Sequence, residues 1–197
     1  MLTVVGMRLS SAKAASIIAM SAALYAVFFF LSSLAGVPSF VVLYLPIILL
    51  GVFPVWFGVP GLVGGMVGAV VGGVFVEGLG AFAWIEAVTT FIIYVLNWIL
   101  IPRDAVEGKL KKLALLFGIY ALTLFVGTTY VLWQLALVGI FPMDYGLFVL
   151  LPPTFALNYV IMAVVCPVLL RTVSPRLKAW GIYVGNFWEW RRKKTSA

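Results

Sequence analysis

Residues 81–112 read AFAWIEAVTTFIIYVLNWILIPRDAVEGKLKK. Positions 81–101 form an apolar run of the length that crosses a bilayer, which takes about 20 mainly apolar residues. Pro102 stops the run, and Arg103, Lys109, Lys111 and Lys112 follow directly. An apolar helix that ends in a group of cations has the form of a membrane span with a basic flank on one side of the bilayer. The pattern holds outward in both directions. Residues 14–102 and 113–170 contain no Lys or Arg. The other cations are Arg8 and Lys13 at the front, and Arg171, Arg176, Lys178, Arg191, Arg192, Lys193 and Lys194 at the end.

Composition agrees with this reading. Of 197 residues, 64% are hydrophobic and 10% charged, with a mean hydropathy of +1.19. A soluble domain carries about 25% charged residues, so no soluble surface can be built from this chain. The net charge of +7 does not indicate nucleic acid. The cations flank apolar spans and form no patch on a folded surface. There is no histidine, which removes the commonest metal ligand and general base. The one cysteine, Cys166, excludes an internal disulfide framework and reads as a buried structural thiol. The first apolar run is too long for a signal-peptide core and is expected to be a true first helix.

Six spans are expected, at about 12–34, 39–57, 59–77, 81–101, 112–138 and 147–170, in an all-α integral membrane protein. Six crossings put both termini and the loop between spans four and five on one side, and those are the three places that hold the cations. The opposite loops, near 35–38, 77–81 and 139–146, carry only Glu77 and Asp144. The cation bias therefore predicts cytoplasmic termini and a multi-pass protein of the cell membrane. Residues 171–197 form a basic, aromatic tail. Its stretch WGIYVGNFWEW (180–190) reads either as an interfacial segment or as a frayed end.

Small residues stand out in two spans. The first has Ala15, Ala19 and Ala23, with Ala22 and Ala26 offset. Residues four apart share a helix face, and small side chains there let another helix approach closely. Either a neighbour in the same bundle or a partner protein could fill that place. The third span holds Gly64, Gly68 and Gly72 in two overlapping GxxxG steps. Tight helix packing is the expected use. No Lys follows, so it is not a phosphate loop.

Polar residues inside the spans are few. Glu86, Thr90 and Asn97 fall within about 40° of one face of the fourth span. A carboxylate in hydrocarbon is costly and usually faces a cavity. The fifth span carries Thr123, Gly127, Tyr130 and Gln134 on one face, with Trp133 beside it. The sixth carries Thr154 and Asn158, with Tyr159 adjacent, after a break at Pro152-Pro153. With the six-span topology, Trp84, Glu86, Tyr130, Trp133, Gln134, Thr154 and Asn158 share one depth just below the outer surface. A small-molecule pocket is expected there. An aromatic interfacial belt would explain the rings but not the amides. Catalytic sets are missing: there is no His, no Cys pair, no paired carboxylates on one helix and no Walker motif. No cofactor or metal is expected. A stand-alone channel or facilitator, with the glycine-rich span lining its pore, is the alternative function.

Taken together, the length, the six spans, the AxxxA first helix (Ala15, Ala19, Ala23 with Ala22, Ala26) and the outer pocket resemble the S component of energy-coupling-factor (ECF) transporters. The likeness covers nearly the whole chain. It implies a non-enzymatic subunit that binds a vitamin or related micronutrient from outside. It implies docking through the first-helix alanines on a transmembrane T component driven by two ATPase subunits. It also implies a toppling motion for release, a pocket at Glu86, Trp84, Thr90, Tyr130, Trp133, Gln134 and Asn158, and a lid near 35–40. Metal-binding members carry an N-terminal His-rich site that this chain lacks. An acidic, aromatic pocket suits a cationic or neutral ring, and thiamine or its pyrimidine precursor fits best.

Overall fold

The computed structural model describes residues 11–34, 43–78, 80–102 and 110–195. Among them the secondary structure is helical, with no strand. The helices are α1 Ser11–Leu34, α2 Pro46–Glu77, α3 Ala81–Leu100, α4 Leu110–Leu137, α5 Leu151–Ala179 and α6 Phe187–Thr195. A π-helical turn, Tyr145–Leu150, leads straight into α5. Five helices, α1 to α5, are long and apolar enough to cross a membrane. The expected second and third spans, 39–57 and 59–77, are joined in the single element α2.

That junction is a sharp break. Gly58 has φ 52° and ψ −131°, outside helical geometry. Its positive φ suits glycine, and a Cβ there would meet the side chains of Val184 and Trp98 at 2.9 and 3.1 Å. Side-chain neighbours show that the two limbs run in opposite directions along α3. Just ahead of the first limb Tyr44 bonds Glu86, and at the limb's far end Gly58 lies beside Trp98. In the second limb Gly61 lies beside Tyr94, Gly65 beside Thr90 and Gly73 beside Ala83. The Tyr94 hydroxyl spans the fold-back, donating to Phe53 O at 2.9 Å and Gly58 O at 2.6 Å.

The first limb is the centre of the bundle. No residue from 46 to 58 is exposed, which is why this stretch is apolar all round. Its prolines free backbone carbonyls, and neighbouring helices satisfy them. Pro54 cannot donate to Leu50 O, which instead accepts Asn97 Nδ2 from α3 at 3.0 Å. Asn97 Oδ1 in turn accepts Thr123 Oγ1 of α4 at 2.9 Å. Pro60 cannot donate to Trp56 O, which accepts Val184 N at 3.0 Å, and Gly185 N donates to Val55 O at 2.9 Å.

The tail is thus a packed strap across this end of the bundle. Trp98 Nε1 donates to Gly185 O at 3.1 Å, and the Trp98 ring meets Phe187 and Trp190 with centroids 5.6 and 5.2 Å apart. The frayed alternative does not describe it.

Glycines set the α1–α2 contact, as the GxxxG pattern predicts. A Cβ on Gly64 would meet Ile18 O at 2.5 Å and the Ser21 side chain at 2.6 Å, and one on Gly68 would meet Ala22 O and the Tyr25 side chain at 2.6 Å. Helices α3 and α4 are antiparallel, with Gly127 against Ile93 and Thr123 bonded to Asn97. Successive limbs alternate in direction. Ser11, Gly58, Leu100, Leu110 and Ala179 therefore share one end. The described cations Lys13, Lys111, Lys112, Arg171, Arg176, Lys178, Arg191 and Arg192 lie towards that end, and Glu86 and Asp144 lie towards the other.

Candidate functional site

At the end opposite the cations, helices α3, α4 and α5 part around the entry of α2 and line a half-open cavity of about 50 Å³. Its polar lining is Tyr44, Glu86, Thr89, Thr128, Thr154 and Asn158. The walls are otherwise apolar: Ile47, Phe82, Ile93, Leu124, Val131 and Leu135, with Gly127. Gly127 lets α3 come close to α4, because a Cβ there would collide with Ile93. Glu86 is the one charged residue in this lining, and it is only 7% exposed.

Hydrogen bonds converge on Tyr44, which lies just ahead of α2. Its hydroxyl donates to Glu86 Oε2 at 2.7 Å. Its backbone N–H donates to Asn158 Oδ1 at 2.8 Å. The hydroxyl also lies 2.6 Å from that of Tyr25, which lies 2.5 Å from Thr90 Oγ1. Each hydroxyl has one proton. With the Tyr44 proton on Glu86, the chain runs Thr90 to Tyr25 to Tyr44 to Glu86. It ties α1 and α3 to the cavity wall. Next to it, Ser32 Oγ of α1 accepts Leu45 N at 2.9 Å.

The cavity brings together some of the expected site residues. Glu86 and Asn158 line it. Thr90 is fully buried one turn from Glu86 and acts through Tyr25, outside the lining. Trp84, 66% exposed, and Trp133, 44% exposed, point away from the core. Tyr130 and Gln134 are half-buried and do not line it, and the Tyr130 ring packs on Trp133. Helix α4 presents Leu124, Gly127, Thr128, Val131 and Leu135 to the cavity instead. These residues recur at spacings of three and four, which is one helix face. Thr123, buried beneath, is spent on Asn97. Tyr44, Thr89 and Thr128 were not anticipated; the only sequence signal was their depth, equal to that of Glu86. The candidate lid near 35–40 and Glu77's side chain lie outside the described residues.

The α1 alanines divide between two faces. Ala15, Ala19 and Ala23 are exposed, while Ala22 and Ala26 are partly buried. Ala22 backbone atoms lie against Gly64 and Gly68. The buried stripe of α1 is Ala14, Ile17, Ser21, Tyr25 and Phe29.

Among the described residues no three His, Cys, Asp or Glu side chains come together as a metal site. No family model matches the chain, and neither a curated protein nor a solved structure matches it.

Proposed function

We propose that this chain is the substrate-binding membrane subunit of an ECF-type importer for a vitamin or related micronutrient. The observation that carries the reading is the cavity itself. One carboxylate and one amide, both buried, face a mainly apolar space at the end of the bundle opposite the cations. That is the composition of a small-molecule site. In this reading the cationic end faces the cytoplasm and the cavity faces outward. The two limbs of α2 count as separate crossings, which makes six and leaves both termini inside. The first limb spans only about 18 Å at 1.5 Å per residue, but it lies inside the bundle and needs no match to the bilayer.

The exposed face Ala15, Ala19 and Ala23 supports docking on a T component, because small side chains on an outward face admit a second helix closely. ATP hydrolysis then belongs to two partner ATPases. Thiamine or its pyrimidine precursor suits the acidic, partly aromatic lining of Glu86, Tyr44 and Phe82. A channel is disfavoured by the packing below the cavity, where the first limb of α2 and the Leu50–Asn97–Thr123 layer fill the centre.

Thermal unfolding of the purified protein against a vitamin panel tests the reading. One vitamin should raise the melting temperature and bind with micromolar or tighter affinity, and Glu86→Gln should weaken that binding at least tenfold, the value of about one charge-assisted hydrogen bond. A panel with no shift, or solute flux through the isolated protein, would sink it.

A further inference from the structure

We propose that the outer face of α6, carrying Trp188, Arg191 and Arg192, is a docking surface for anionic phospholipid headgroups, and that these lipids hold the tail strap closed on the bundle. The surface lies at the cationic end, away from the cavity, so the proposal holds whatever the cavity binds.

Hydrogen bonds fix the depth of the strap. Asn186 Nδ2 donates to Ile101 O at 3.2 Å, and Trp188 Nε1 donates to Ile99 O at 3.1 Å. Both acceptors lie where α3 ends and Pro102 stops its apolar run. A strap bonded there sits level with the point at which a membrane-spanning α3 leaves the hydrocarbon. Leu100, next to that bond, is itself exposed, so the Trp188 ring prolongs a surface that a bilayer covers. Trp180, 66% exposed, stands in the same way at the end of α5. Indole rings at the ends of apolar spans settle at the headgroups.

Helix α6 divides its side chains. Phe187 and Trp190 pack on Trp98, whereas Trp188, Arg191 and Arg192 are exposed. Charge selects the lipid. Glu189 is the one acid among the described residues of this end, and the cations outnumber it. Basic residues beside interfacial aromatics attract anionic headgroups. An acidic soluble protein would meet the charge but leave no reason for indoles flush with the apolar spans. Nine residues are also too few for a helix that is stable by itself in water. What covers the outer face of α6 therefore bears on whether Val184 and Gly185 keep their bonds to Trp56 O and Val55 O.

Hydrogen exchange of the full chain in lipid nanodiscs tests this at the amides of Val184, Gly185 and Trp190. In equal parts of phosphatidylcholine and phosphatidylglycerol these amides should exchange about fivefold more slowly, or slower still, than in phosphatidylcholine alone; fivefold is the effect of one basic residue at an anionic surface. Salt that shortens the screening length to about 3 Å should cancel the difference. Arg191→Gln combined with Arg192→Gln should cancel it too. Lys13→Gln combined with Lys111→Gln removes the same charge from other helices of this end and should leave it in place. Equal exchange in the two lipids overturns the proposal and gives the face to a soluble partner. A difference that survives loss of both arginines, or that loss of the two lysines removes equally, also overturns it. So does slowing by inorganic phosphate in phosphatidylcholine discs, because a phosphate site needs no anionic membrane.

Discussion

Asn158 and Asn97 are both amides buried in apolar helices, yet they serve different ends. Asn158 lines the cavity and positions Tyr44. Asn97, three turns along α3 from Glu86, supplies the donor that Pro54 withholds from Leu50 O and accepts Thr123. Asn97→Leu takes the donor from the buried Leu50 carbonyl and leaves Thr123 only its long bond to Tyr120 O at 3.4 Å, at about 1–3 kcal/mol for a group left unsatisfied. The melting temperature in detergent should fall while ligand affinity, measured below the transition, stays within about threefold. Lost affinity at unchanged stability would instead put Asn97 in the site. The sequence exposed Glu86 and Asn158 because an acid or amide inside an apolar run is costly unless it is used. Tyr44, Thr89 and Thr128 carry no such flag. Trp84, Tyr130, Trp133 and Gln134 lie off the cavity lining for a complementary reason: topology reveals depth, but each residue turns the helix by about 100°, and only packing decides which face looks inward.

At the level of helices, the boundary read between 57 and 59 coincides with the Gly58 break. Pro54 and Pro60 stand on either side of it. What the sequence could not show is how tightly the two limbs fold back, which depends on Tyr94 and on the tail strap 184–185. Gly58→Ala combines a positive φ, worth about 1–3 kcal/mol for a non-glycine residue, with a Cβ pressed on Val184 and Trp98. It should lower the melting temperature and speed proteolysis of the tail; unchanged values for both would mean the break relaxes without the strap. The two alanine faces of α1 permit a paired experiment. Ala22→Leu pushes into the glycine face of α2 and should destabilise the isolated protein by about 1–3 kcal/mol, the usual range for overpacking. Ala19→Leu, on the exposed face, should leave stability and ligand binding intact but abolish transport with the T component and ATPases. Loss of ligand binding in Ala19→Leu would mean that this face serves internal packing.

For the whole molecule, charge and the alternation of limbs make the same claim about sidedness, and they make it independently. The cations are a property of sequence, whereas the direction of each limb follows from which residues touch. Contacts put Lys13, Lys112 and Arg192 at one end and Asp144 at the other. A bilayer crossed six times keeps that arrangement, with the cations inside. A bilayer crossed five times, with α2 as one unbroken span, would move Lys112 and Arg192 to the outer side and Asp144 to the inner side. Single cysteines distinguish these cases, read against the parent protein because the native Cys166 is buried. In intact cells a membrane-impermeant maleimide should label Asp144→Cys, and should reach Lys112→Cys and Arg192→Cys only after permeabilisation. The reverse pattern would turn the cavity at Glu86 towards the cytoplasm and remove uptake from outside as its purpose. With the six-crossing pattern, the residue that meets an external ligand lies beside Tyr44, and the helix whose exposed alanines would meet a partner is the one Tyr44 touches through Tyr25.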